Sequence, residues 1–369
     1  MSRAAEPILL TPGPLTTSAA VKQAMLRDWG SRDPDFEALT RFVLAELLGI
    51  ANAGSGHVAV PIQGSGTYAV EAMIGTLARR DGRMLVLTNG AYGQRMIAIA
   101  RGVGLDVTDY AVPETQVHDP AELRRRLAAD PSIRSVGVVH CETTSGILNP
   151  VESFADIVGE AGRDLYVDSM SAFGAIPVDA RRLRFAGLAA SANKCLQGVP
   201  GIAFVICPED RLAEAKGRSP SLVLDLEAQH RQLLADGQWR FTPPTHIVAA
   251  LAEAIRELAA EGGPAARLAR YRKNSRILIE GMRGLGFDSL LADEVQSPII
   301  ASFAEPAADW FAFPAFYERL KTMGFAIYAG KMKVGGTFRV GSIGAVDPNT
   351  MTDFVACVER TVAAMKEGR

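Results

Sequence analysis

Short apolar runs alternate with helix-length amphipathic stretches through the first two-thirds of the chain. Residues 58–62, 84–87, 136–140, 165–167 and 202–206 are near-continuous apolar runs of strand length, the pattern of strands buried on both faces. Pro61 falls in the first of them, and its missing N–H places it at the very end of that strand. Between the runs, 68–78, 95–101, 120–129 and 151–162 have helical spacing. This alternation predicts an α/β fold: a mainly parallel sheet flanked by helices, with ligands gathering where strands end and loops begin. Residues 246–283 are rich in Ala, Leu, Glu and Arg with one break at Gly262-Gly-Pro264, which predicts a long helix or a broken pair. Beyond it, strands at 299–303, 326–328 and 337–340 and helices at 311–323 and 348–366 predict a smaller C-terminal α+β domain. The expected division is an N-terminal arm (1–15), a large domain (16–250) and a small domain (251–369).

Composition narrows the function. The 369 residues are 48% hydrophobic and 22% charged with a formal net charge of −2, which gives no electrostatic reason to expect nucleic acid or a membrane surface as partner. No apolar run approaches the roughly 20 residues of a membrane-spanning helix. Residues 1–14 lack the pattern of a secretory signal. Cys141, Cys195, Cys207 and Cys357 form no CxxC pair, and the five histidines show no ligand spacing, so neither a disulfide frame nor a metal is expected. A soluble cytoplasmic protein is the expectation.

Four segments carry candidate chemistry. Gln63-Gly-Ser-Gly-Thr67 follows a strand and opens a helix. It reads either as a phosphate cradle, with Ser65, Gly66 and Thr67 as donors, or as a glycine turn capped by Thr67. It matches neither the P-loop nor the dinucleotide fingerprint. Asp168, in Tyr166-Val-Asp-Ser-Met-Ser171, sits where a strand should end. A carboxylate there either caps a loop or keeps a pyridinium nitrogen protonated. Lys194 follows the small apolar run 188–191 and precedes a Gly/Pro turn, a placement that can desolvate its amine for imine chemistry. A lone lysine near a loop is ordinarily just solvated; the pairing with Asp168, at another strand end, is what favours the chemical reading. Tyr92, in Asn89-Gly-Ala-Tyr-Gly93, is either a stacking partner for a planar ring or a loop tyrosine.

Taken together with Leu10-Thr-Pro-Gly-Pro14, His140-Cys-Glu-Thr-Thr-Ser-Gly146, Phe241-Thr-Pro-Pro-Thr-His246 and Phe338-Arg-Val-Gly341, these segments resemble the class V aminotransferase group of fold-type I pyridoxal-phosphate (PLP) enzymes. The likeness runs nearly end to end, and the 140–146 and 191–201 blocks are similar to the phosphonate branch of the group. The resemblance implies a homodimer that uses pyridoxal 5'-phosphate, with 2-aminoethylphosphonate as amino donor and pyruvate as acceptor. It implies Lys194 as the catalytic Schiff-base lysine and Asp168 as partner of the ring nitrogen. Ser65, Gly66 and Thr67 would hold the phosphate, Tyr92 would cover the ring, and Thr143 would reach the phenolic oxygen or nearby ring. Thr242 or Thr245 would reach across to the partner's phosphate. Arg339 and Gly13 would meet the substrate. One departure is Tyr328-Ala-Gly-Lys331, where the group has Tyr-Pro-Gly-Lys.

Rival expectations stay open at this point. An alanine– or serine–glyoxylate type enzyme, or a transaminase for another ω-amino acid, shares the cofactor residues. A cysteine desulfurase-like enzyme needs a nucleophilic cysteine on a mobile loop, and no cysteine here has that setting. A relic used only as a binding domain would not need to keep both Lys194 and Asp168.

Overall fold

The computed structural model describes residues 6–368, so the first five residues of the expected arm lie outside the described residues. Across the central sheet the strands run in the order His57–Gly64, Gly201–Pro208, Gly187–Ser191, Asp164–Asp168, Ile133–Val139, Arg83–Thr88 and Asp106–Ala111. All neighbours pair in parallel except Gly201–Pro208, which is antiparallel to both of its partners. The period-2 alternation of a strand divides the core in two. Leu85, Leu87, Val136, Val138, Leu165 and Val167 face one apolar cluster, into which the helices Pro34–Ile50, Val151–Glu160 and Thr245–Glu261 pack. Met84, Val86, Tyr166, Ala189, Ala203 and Val205 face the other, covered by Gly66–Leu77 and Ala91–Gly102.

Two details depart from the apolar-run pattern. Pro61 is in the middle of its strand, opposite Phe204, and not at its end. That strand is an edge of the sheet, so the proline's missing donor is on the open side and no ladder bond is lost. Asp106–Ala111 is the opposite edge, and its Asp-Val-Thr-Asp-Tyr-Ala sequence is too polar to register as a buried run.

The helical stretch after residue 245 is a broken pair. Thr245–Glu261 packs on the core beside the central sheet, and Gly263–Gly284 carries Leu278, Ile279 and Met282 into a separate C-terminal core. The break falls at Gly262, whose φ of +104° is a conformation that glycine adopts without a Cβ penalty. The C-terminal core is built on Phe303, Phe316, Phe338 and Phe354, under an antiparallel sheet of Ile300–Ala304, Thr337–Gly341 and Tyr328–Ala329. The N-terminal segment joins this region: Ile8–Leu9 pairs with Phe325–Ala326, and Leu10 is buried in the same core.

Candidate active site

The carboxyl ends of the strands meet one cleft of about 470 Å³. Asp168 is the last residue of its strand, and its neighbour strand ends at Ser191, three residues before Lys194. On the far side of Gly201–Pro208, Gly64 leads directly into Ser65 and the helix Gly66–Leu77. Ser65, Gly66, Thr67, Tyr92, Asp168 and Lys194 therefore share the cleft wall. Thr143 and Arg339 adjoin it beside Tyr92, whose hydroxyl lies near the Thr143 side chain; Arg339 Nη1 donates to the Thr143 carbonyl at 2.9 Å. Gly13 lies over the lysine, and Lys194 Nζ donates to the carbonyl of Pro12 at 2.7 Å. Thr242 and Thr245 do not line this cleft in their own chain. Thr242 borders a neighbouring cleft of about 380 Å³ with Tyr68, Trp239 and Phe241, and Thr245 begins its helix.

The start of the helix Gly66–Leu77 has free donors that could hold an anion. Ser65 occupies the N-cap position, but its hydroxyl makes no capping bond, and the Ser65 carbonyl takes up only Tyr68 N. Among the described residues, the N–H groups of Gly66 and Thr67 have no capping partner, which leaves donors and the positive end of the helix dipole facing the cleft. Arg95 adds a full charge there, with Nη1 donating to Thr67 Oγ1 at 3.1 Å and its guanidinium 4.8 Å from the Tyr92 ring. At Gly66 a Cβ would fall 2.4 Å from Met170 Sδ, so any larger residue would have to push that flexible side chain aside.

The titratable groups are arranged for chemistry. Burial raises the Asp168 carboxyl to about 6, even though its Oδ1 accepts Met170 N at 3.0 Å. A cation placed against it would favour the charged form. Burial also lowers the Lys194 ammonium below its ordinary range, favouring a free amine. Tyr92 is pushed up by burial, but Lys194, Lys331, Thr143 and Arg95 outweigh this and lower it on balance. Arg339 is 7% exposed, and burial lowers it too; its bonds go to the carbonyls of Thr143 and Ala329. Among the described residues it forms no ion pair, so its charge is available to an anion.

Three contributors have weak sequence signals. Glu142 is fully buried and accepts Tyr92 N at 3.0 Å and Gly93 N at 3.2 Å, holding the N-terminus of the Tyr92 helix. Thr144 joins it by accepting Ala91 N at 2.9 Å. Arg95 follows Tyr92 at i+3, a spacing that would have placed it on the same face had the helix been read from Ala91. His140 is neutral, its imidazole driven down to about 4 by burial, with Nδ1 3.1 Å from Ser169 Oγ. The four cysteines are all buried; Cys195 Sγ donates to the Ser171 carbonyl, which makes it a packing residue. Among the described residues no cluster of His, Cys, Asp and Glu could hold a metal, and no helix is long and apolar enough to cross a membrane.

The Aminotransferase class-V family profile matches residues 43–332. The chain is 49% identical over 360 residues to the 2-aminoethylphosphonate–pyruvate transaminase of Pseudomonas putida (strain W619), an alignment that covers 98% of each. It is 50% identical over 367 residues to the relative of that name from Rhizobium meliloti (strain 1021), covering 98% of this chain and 94% of the relative. Among solved structures, pyridoxamine-pyruvate aminotransferase from Mesorhizobium loti superposes with a TM-score of 0.91 at 24% identity, covering 100% of this chain and 95% of that one, a likeness of fold. Pyridoxal phosphate is the cofactor of the matched family, and the cleft fits it. An uncapped helix start suits the phosphate, a desolvated amine suits the aldehyde, and a buried carboxylate that lacks a cation suits the ring nitrogen.

Proposed function

Because the chain belongs to the class-V aminotransferase family, we propose that it moves the amino group of 2-aminoethylphosphonate to pyruvate, yielding phosphonoacetaldehyde and L-alanine. The observation that carries this reading is Arg339, a buried guanidinium without a carboxylate partner that reaches the cleft through Thr143 and Tyr92. An anionic substrate supplies the missing charge. The identity to relatives named for this reaction, over nearly the whole chain, selects the phosphonate donor over the glyoxylate-type alternatives.

Pyridoxal phosphate, when bound, supplies an electron sink for the pair released as the substrate C–H bond breaks. The protein's residues do the rest. Ser65, Gly66, Thr67 and Arg95 bind the phosphate group. Asp168 would keep the ring nitrogen of the bound cofactor protonated, and Tyr92 would cover its ring. Thr143 lies beside the Tyr92 hydroxyl and gives its carbonyl to Arg339. Lys194 would hold the cofactor through its amine, and that amine, once freed, would move the proton from the amine-bearing carbon of the substrate. Arg339 holds first the phosphonate and then the carboxylate of pyruvate, so the two half-reactions share one pocket; Gly13 closes that pocket from the arm.

The same reading includes a cytoplasmic homodimer engaged in phosphonate degradation. Tyr68, Val223 and Phe241 are exposed beside the open sheet edge, an apolar face suited to a second copy, and Thr242 or Thr245 of that copy would complete the phosphate site. The test is to add 2-aminoethylphosphonate to holoenzyme without pyruvate. A change in the visible absorbance of the bound cofactor, with one equivalent of phosphonoacetaldehyde released, is the expected result. A response to alanine with none to the phosphonate would assign the enzyme to the glyoxylate type.

A further inference from the structure

We propose that Lys331 is the second cation of the substrate receptor and that, with Arg339, it sets the preference for a phosphonate dianion over a carboxylate; this rests on the reading that 2-aminoethylphosphonate is the amino donor. Lys331 lies on the loop between Tyr328–Ala329 and Thr337–Gly341, and its Nζ is 4.6 Å from the centre of the Tyr92 ring. The loop is held at both ends. Gly330 N donates to the Thr337 carbonyl at 2.7 Å, in a turn so tight that a Cβ at 330 would fall 1.8 Å from Thr337 Oγ1. Farther along, Lys333 N donates to Glu114 Oε2 at 2.9 Å, which ties the loop to the large domain.

Arg339 addresses the same place from the other side. Its Nε donates to Ala329 O, at the root of the Lys331 loop, and its Nη1 donates to Thr143 O, next to the Tyr92 hydroxyl. Among the described residues neither cation forms an ion pair with a carboxylate. Glu142, the carboxylate whose field Arg339 feels, is committed to the backbone of Tyr92, Gly93 and Thr144. An anion entering beside Tyr92 would meet both cations, Arg339 buried and Lys331 exposed.

Charge balance then distinguishes the two substrates. A carboxylate carries one charge on two oxygens, which a single guanidinium can match in bidentate fashion. A phosphonate carries a third oxygen and, near neutral pH, a second charge. The compact ammonium of Lys331 suits that remainder, since lysine acts as a point charge on a flexible stem.

The experiment measures kcat/KM of the holoenzyme for 2-aminoethylphosphonate and for pyruvate in wild type, Lys331→Met and Lys331→Arg. Lys331→Met should lower the value for the phosphonate about tenfold, through KM, and the value for pyruvate by no more than about threefold. Lys331→Arg should restore most of the loss. In the wild type, KM for the phosphonate should fall as pH rises through its second ionisation, and Lys331→Met should flatten that dependence. Equal losses for both substrates, or none for either, in an enzyme that does turn over 2-aminoethylphosphonate would overturn the role of Lys331 alone. No turnover of 2-aminoethylphosphonate by the wild type would overturn the donor assignment and this proposal with it.

Discussion

Arg267 Nη1 donates to the carbonyl oxygen of Cys195 at 3.0 Å, from behind the turn that presents Lys194 to the cleft. The same nitrogen reaches Leu196 O at 3.2 Å, and Arg267 Nε pairs with Glu261 Oε2 at 2.8 Å. Gln197, held at a φ of +63°, extends the lock by donating its side-chain amide to Tyr271 OH and to Gly344 O at 2.8 Å. The turn that carries Lys194 is thereby fastened to the helix Gly263–Gly284 and to the segment that follows the Arg339 strand.

Arg267→Met should therefore cost stability and rate together. The guanidinium is 1% exposed, so its loss leaves two buried carbonyls without their donor and Glu261 with Arg270 as its remaining partner. The expected loss is about 3 kcal/mol, read as a lower urea midpoint with unchanged slope. kcat should fall with it, because Lys194 is no longer held. An unshifted midpoint would show that the carbonyls find other partners.

Gly13→Ala tests the arm. Gly13 has φ +114°, and a Cβ there would fall 2.6 Å from Lys194 Nζ and 2.7 Å from its Cδ. The strained backbone should cost about 1–3 kcal/mol of stability. The collision with the lysine should lower kcat by at least about tenfold. Gly54→Ala is the matched control: its Cβ meets nothing within 4 Å, and activity should not change. Full activity in Gly13→Ala would mean that the arm moves clear of Lys194 during turnover.

Glu142→Gln tests how Tyr92 is held. The carboxylate accepts four bonds, from Tyr92 N, Gly93 N, Thr144 N and Thr144 Oγ1. An amide has only one acceptor oxygen and would turn its NH₂ toward donors. A loss of about 1–3 kcal/mol is expected by thermal or chemical denaturation, together with weaker binding of pyridoxal phosphate in equilibrium dialysis. Unchanged cofactor affinity would detach Tyr92 from the binding role assigned to it.

What the sequence makes legible follows from how local each signal is. Asp168 and Lys194 stand out because Asp168 closes one short apolar run and Lys194 follows three residues after another, and strand ends in a parallel sheet are where ligands bind. Arg267 carries no such mark. It sits among Arg270, Arg272 and Arg276 in a polar helix, and only the packing of that helix against the 195–197 turn buries it. The Tyr92 helix starts four residues earlier than the apolar pattern implies, because Gly90 and Gly93 mask its first turn. What holds that turn is Glu142, 50 residues away in sequence. Pro61 misleads in the opposite sense, since a proline forbidden in a central strand is harmless at an edge that sequence alone does not identify.

Asp168 couples stability to function through its charge. Burial raises its pKa from 3.8 to about 6, so between these values the folded apoenzyme binds a proton that the unfolded chain has released. Stability from this group is therefore full below pH 3.8 and falls as pH rises through 6, by about 3 kcal/mol in total. His140 works the other way. Its pKa drops from 6.5 to about 4 on folding, so its penalty is absent above pH 6.5 and grows as pH falls toward 4. Subtracting the unfolding free energy of wild-type apoenzyme from that of Asp168→Asn apoenzyme cancels His140 and isolates Asp168. The difference should be near zero below pH 4 and reach about 3 kcal/mol in favour of the variant by pH 7. Transamination should fall by about 10²–10³ in the same variant, because the ring nitrogen loses its counter-charge. An Asn variant that gains no stability at neutral pH would show that ionising Asp168 in the folded apoenzyme carries no burial cost, and that its pKa is not raised above the ordinary carboxylate value.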